Sequence, residues 1–184
     1  MRINQSAVVL MVFAVTGCST VAPHYQASYE NTQLLEEGGK NQVDVEAFTA
    51  ADPKVNSLSI RAGTFQSPTN GSYVEYLQKA LEQELYDARR LNQDSDIKVG
   101  GVLIENEIDA SGFDIGTAKI KAEFIVRSGD REVYRKVHSA AIEWPSSFMA
   151  NIAVPRAIKE YPRVVQELLS RLFLDPEFIN ALDQ

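Results

Sequence analysis

Thr117-Ala118-Lys119-Ile120-Lys121-Ala122-Glu123-Phe124-Ile125-Val126-Arg127 reads as a strand with one dry face. Ala118, Ile120, Ala122, Phe124 and Val126 fall on one side and Thr117, Lys119, Lys121, Glu123 and Arg127 on the other, the period-two pattern of a half-buried strand. Such alternation belongs to antiparallel sheets covered on a single face. Downstream, Ser128-Gly129-Asp130 predicts a hairpin into a further strand from about Arg131 to Trp144, broken by Pro145-Ser146-Ser147. Upstream, Asp109-Ala110-Ser111-Gly112-Phe113-Asp114 predicts a turn back to the β-branched run Ile97–Ile104, where Gly100-Gly101 imply a bulge or a close backbone approach.

Helices flank these strands in the sequence. Ser72-x-x-Glu75 is a capping box, in which the serine bonds a free backbone N–H and the glutamate reaches back. Behind it Val74, Leu77, Leu81, Leu85, Ala88 and Leu91 form one apolar stripe, and Arg89-Arg90 fall in the last turn, where they complement the helix dipole. A second helical region spans about Ser147 to Phe173 with the stripe Ile158, Tyr161, Val165, Leu168 and Leu172. Pro155 and Pro162 mark a kink, a restart or a first turn within it. Asp175-Pro176-Glu177 opens a short terminal helix. Leu58, Ile60, Ala62 and Thr64 alternate as one more strand, and Val43, Val45 and Ala47 as a short edge strand. The expectation is an α+β domain: a mainly antiparallel sheet of about four strands with two long helices packed on one face.

The first residues follow a secretory plan, with Arg2 as the positive region, Ala7 to Val15 as the apolar core and Gly17 before the cut. The core is roughly half the ~20 residues a membrane-spanning helix needs. Val15-Thr16-Gly17-Cys18 resembles the lipobox of bacterial lipoproteins. Cys18 is the one cysteine in the chain, and an exported protein with a lone thiol asks for an account of it. Lipidation supplies one: a diacylglycerol on the sulfur, a further acyl chain on the new N-terminus, and no other cofactor. Ser19 and Thr20 follow rather than Asp, and resemblance to Gram-negative lipoproteins then implies sorting to the outer membrane, facing the periplasm. The expected organisation is a signal peptide over 1–17, a lipidated cysteine with a flexible tether over 18–41, and a single periplasmic domain over 42–184. The tether's Tyr25 and Tyr29 are its candidates for docking on the domain or a partner.

The net charge is −7, and the leader holds only Arg2 among charged residues, so the rest is more acidic still. That balance argues against nucleic acid, whose phosphates demand clustered Lys and Arg. Hydrophobic content of 45% is that of a globular chain. No catalytic constellation emerges. His138 has no serine or aspartate nearby in an activated setting, and His24 lies in the tether. Ser146-Ser147 lacks the nucleophile-elbow glycines and reads as helix capping. Asp109 and Asp114 bracket a glycine without the spacing or distal Glu of a calcium loop, so no metal is expected. Trp144 and Phe148 stand at a strand-to-helix corner, either as a plug for one end of the core or as an anchor for a partner.

Three stretches carry a family resemblance: Tyr76-Leu77-Gln78-Lys79-Ala80-Leu81-Glu82-Gln83-Glu84-Leu85, Ala118-Lys119-Ile120-Lys121-Ala122-Glu123-Phe124, and Leu172-Phe173-Leu174-Asp175-Pro176-Glu177-Phe178. In them the chain resembles the small YajG-like outer-membrane lipoproteins and, more loosely, the auxiliary lipoproteins of envelope ABC-type transport and lipid-trafficking systems. The resemblance implies a periplasmic α/β module with no enzymatic residues to carry across. The anchor, the compact domain and the missing chemistry lead to the expectation of a non-enzymatic module that binds another envelope protein or supports a transport or assembly system. The other expectation is a carrier holding a lipid or other apolar ligand between helices and sheet.

Overall fold

The computed structural model describes residues 19–183; Cys18 and the leader lie outside them. The elements in order are β1 (Ser19–Val21), α1 (Tyr29–Glu37), β2 (Asp44–Val45), β3 (Thr49–Ala50), a 3-10 turn (Pro53–Asn56), β4 (Leu58–Ile60), β5 (Gly63–Gln66), α2 (Tyr73–Asp87), β6 (Ile97–Asp109), β7 (Ile115–Ser128), β8 (Arg131–Pro145), α3 (Ala150–Phe173) and α4 (Pro176–Leu182). The class is α+β as expected, and β6, β7 and β8 form an antiparallel meander. Ala118, Ile120, Ala122, Phe124 and Val126 are buried, as their alternation predicts. Helix α3 packs over β7 and β8, and α2 beside β6.

The sheet is more mixed than the sequence suggests. β2 and β3 both run parallel to β6 along its free edge, giving five strands, and a separate three-stranded sheet has the order β1-β5-β4 with β1 parallel to β5. The stretch Leu58–Thr64 is not one strand but a hairpin that turns at Arg61, whose φ is 56°. Neither turn residue is glycine or asparagine, so the usual hairpin signal is missing. Gly101 meets the second of its two expectations: a Cβ there would stand 2.6 Å from the Phe48 ring, so the glycine admits a side chain lying across β6. The bulge itself sits further along, between Leu103 and Glu105.

The predicted flexible tether is the main correction. Ser19, Thr20 and Val21 pair with Thr64, Phe65 and Gln66, and the Tyr76 hydroxyl donates to the Pro23 carbonyl at 3.0 Å. Ser28 then caps α1, whose Leu35 is fully buried. The rungs of β1 and the Tyr76 bond form against distant residues and only the Ser28 cap is local, so the segment has the polarity of a linker.

Two helix ends also differ. α2 stops at Asp87, and Arg89 takes a left-handed φ of 59° that turns Arg90 back into the core at 2% exposure rather than outward in a last turn. The Ser72 hydroxyl accepts the Glu75 N–H at 3.1 Å as predicted, but the Glu75 carboxylate accepts from Asn70 instead of reaching back. α3 continues through Pro155 and Pro162 without a restart. Neither proline is buried, while the opposite side carries Tyr161, Val164, Val165, Leu168, Leu169 and Leu172, all at 0%. That packing offsets the hydrogen bonds the two rings remove, a cost of about 3 kcal/mol per interior proline.

Candidate functional site

Trp144 and Phe148, four residues apart, take opposite roles. Trp144 is 2% exposed, and its indole lies against Gly116, where a Cβ would come within 2.5 Å of the ring. It plugs the end of the core. Its Nε1 is buried and finds no acceptor among the described residues. Phe148 points outward at 67% exposure.

Phe148 is not alone. Its ring stacks on that of Phe113 from the β6–β7 loop, with centroids 5.3 Å apart and planes at 8°. The register pairs Ile115 with Pro145, and the Ser146 N–H donates to the Asp114 carbonyl at 2.7 Å, which brings that loop and the β8–α3 corner side by side. Ile115, Met149 and Ile152 extend the group, so five apolar side chains, each at least half exposed, share one end of the domain. Met149 is the N-cap of α3 and supplies no side-chain bond. The Ser147 hydroxyl spends itself on the Met149 N–H before the helix begins, so the serine pair does not cap the first turn of α3 as expected. Isolated surface apolar residues need no explanation, and it is the gathering of five at one end that makes this corner a candidate contact site. The sequence signal for Phe113, Ile115, Met149 and Ile152 was present only as apolar residues in turns and at a helix start.

The polar clusters serve the fold. His138 Nε2 lies 2.7 Å from the Tyr134 hydroxyl and 3.5 Å from Asp175. Asp175 also accepts from Tyr134 and Lys136, each at 3.0 Å, and caps α4 through the Glu177 N–H. Burial holds the His138 imidazole below its ordinary pKa, against the pull of Asp175. The whole group fastens α4 to β8. Asp109 closes the predicted turn by accepting the Ser111 N–H at 2.7 Å. Among the described residues no three His, Cys, Asp or Glu side chains are grouped to hold a metal ion.

A cluster the sequence reading missed surrounds Glu84, which is fully buried. Its Oε1 accepts from the Tyr25 hydroxyl at 2.5 Å, the Ser28 N–H at 3.0 Å and Asn31 Nδ2 at 3.0 Å. All three donors come from the segment expected to be a tether, so this carboxylate binds that segment to α2. Burial pushes the Glu84 carboxyl above the usual carboxylate range, and the three donors oppose it. A raised native pKa means that the folded chain holds this proton more tightly than the unfolded one. The contribution to stability is therefore fullest below the ordinary Glu pKa of about 4.3 and is lost as pH rises through the raised value. Thermal melts of wild type and Glu84→Gln across acid to neutral pH should show wild type losing ground to the variant as pH rises. A wild type that gains ground would mean the donors outweigh burial.

A groove of about 710 Å³ runs along α2, lined by Tyr25, Tyr76, Tyr86 and Leu91 together with His24, Lys79, Glu82 and Gln83. It lies on the outer side of the helix, not between helices and sheet. No described helix is long and apolar enough to cross a membrane.

Neither a family model nor a curated protein matches the sequence. Among solved structures, a Xanthomonas campestris protein of the DUF330 family superimposes with a TM-score of 0.55 at 14% identity, over 84% of this chain and 88% of that one. The two share a fold. A Caulobacter crescentus protein to which a lipoprotein character has been ascribed gives 0.47 at 11% identity, over 84% and 97% of the two chains. A hypothetical protein from Chlamydia trachomatis gives 0.42 at 9%, over 73% and 96%.

Proposed function

We propose that this chain is a lipoprotein of the bacterial envelope, acylated on Cys18 and held on the periplasmic side of the outer membrane. There it serves as a non-enzymatic accessory module that binds another protein of a transport or assembly system. The leader and lipobox-like Val15-Thr16-Gly17-Cys18 support the anchor, and the resemblance to YajG-like and ABC-type auxiliary lipoproteins supports the role. The observation that carries the reading is the position of β1: its first residue, Ser19, follows Cys18 directly and is already paired to the domain. An anchor at Cys18 then fixes the body at the membrane, as suits a stationary binding module better than a shuttle.

The anchor is tested by Cys18→Ser. Wild type should fractionate with outer membranes and yield a mature N-terminal peptide carrying acyl mass, while the variant is lost from that fraction. An unmodified wild-type thiol would refute the lipoprotein reading. Crosslinking in intact envelopes should recover one reproducible protein partner, and its absence would refute the accessory role. The carrier reading draws on the α2 groove, whose whole volume exceeds the ~300 Å³ of a small ligand pocket. Its open, charged rim favours it less, and lipid co-purifying in fixed ratio would restore it.

A further inference from the structure

We infer that the apolar corner built from Phe113, Ile115, Phe148, Met149 and Ile152 seats on the bilayer that holds the anchor. The inference rests on the acylation of Cys18 proposed above. Its own support is where the chain enters the domain. Ser19 pairs with Thr64 in a parallel ladder, three residues beyond the β4–β5 turn at Arg61. From that turn Arg61 Nη2 donates to the Ser147 carbonyl at 2.7 Å, one residue before Phe148. The start of β1 and the exposed aromatic stack thus share one pole of the molecule. Covalent geometry leaves about 3.8 Å between the Cα atoms of Cys18 and Ser19, so acyl chains on Cys18 have no spacer to carry them away.

The chemistry of the corner suits a lipid surface. Aromatic and aliphatic side chains on one side of an anchored domain settle about 5–10 Å into the boundary between headgroups and acyl chains. Arg156 and Lys159 are exposed on the next turns of α3 beyond Ile152, where cations meet anionic headgroups. Arg156 approaches Glu160 at 4.0 Å, and the turn beside the aromatic stack carries two acids, Asp114 and Asp109, the latter facing Arg61. The opposite pole, at the Gly129-Asp130 hairpin, lies about 40 Å away along β7 at ~3.3 Å per residue and stays free for a protein partner.

Acylation consumes the thiol of the single native cysteine, so an introduced cysteine can be labelled alone. The mature, lipidated full chain carrying Phe148→Cys, Phe113→Cys or Asp130→Cys is labelled with an environment-sensitive fluorophore and reconstituted in phosphatidylethanolamine–phosphatidylglycerol vesicles. Most of the signal at 148 and 113 should be lost to lipids brominated in the acyl chain and little to aqueous iodide, with the reverse at 130. A label at 148 as open to iodide as that at 130 overturns the inference while leaving an acylated Cys18 standing. An N-terminal peptide without acyl mass overturns both readings. A 148 label that is wet on pure lipid but crosslinks to a protein in native envelopes assigns the corner to that protein instead.

Discussion

Replacing Arg90 with alanine lowers stability by about 3 kcal/mol, the low end for an ion pair with a buried cation because water can reach the 35%-exposed Asp183 left behind, and Tm by roughly 6–12 °C for a domain of this size. The guanidinium is 2% exposed and each of its three nitrogens donates: Nε to the Asn41 carbonyl at 2.9 Å, Nη1 to the Leu35 carbonyl at 3.2 Å, and Nη2 to Asp183 Oδ1 at 3.0 Å. The Leu35 carbonyl belongs to the last turn of α1, which has no further intrahelical donor to satisfy it. One side chain therefore closes a helix end, a loop and a carboxylate. Burial pulls the Arg90 pKa down and Asp183 pushes it back up, and the cation is kept. Arg90→Lys should recover only part of the loss, because an ammonium cannot span three acceptors with a planar fork. A loss below about 1 kcal/mol for the alanine variant, measured by denaturant titration, would show that water replaces the guanidinium freely.

Trp144→Ala is expected to cost a similar amount, about 3 kcal/mol, whereas Phe148→Ala should stay within about 0.5 kcal/mol. The first empties a buried site against Gly116, which has no side chain to fill it, and the unpaired Nε1 keeps the loss toward the low end. The second trims an exposed ring whose main contact is the stack with Phe113. Urea melts on the two variants decide it, and equal losses would mean that the stack supports the corner from outside. The contrast also separates fold from contact: Phe148→Ala should leave a normally folded protein whose fault appears only when the corner meets its counterpart.

Sequence reading located elements whose signal is local and missed those whose partner is far along the chain. The alternation in β7 gave both its faces, Ser72 gave the start of α2, and Asp175-Pro176 gave the start of α4, each within a few residues. β1 has three residues, too few for a period, and exists because Phe65 and its neighbours stand opposite. Glu84 occupies a run of lysine, glutamate and glutamine that reads as a wet face, and only the returning Tyr25, Ser28 and Asn31 make it an interior residue. Arg90 reads as half of a basic pair at a helix end until the left-handed Arg89 turns it inward. At the candidate site the sequence pointed to the β8–α3 corner through Trp144 and Phe148. It could not divide Trp144 from Phe148, since which aromatic faces water depends on where the β6–β7 loop brings Phe113.

The direction of β1 has a mechanical consequence. Its rungs to β5 lie across the strand axis, and the segment behind it is pinned again at Glu84. A pull on the N-terminal side of Ser19 along that axis strains the rungs together, in shear, instead of peeling them apart singly. With Cys18 anchored as proposed, drag on the body passes into the membrane as through a rivet, with little slack to absorb it.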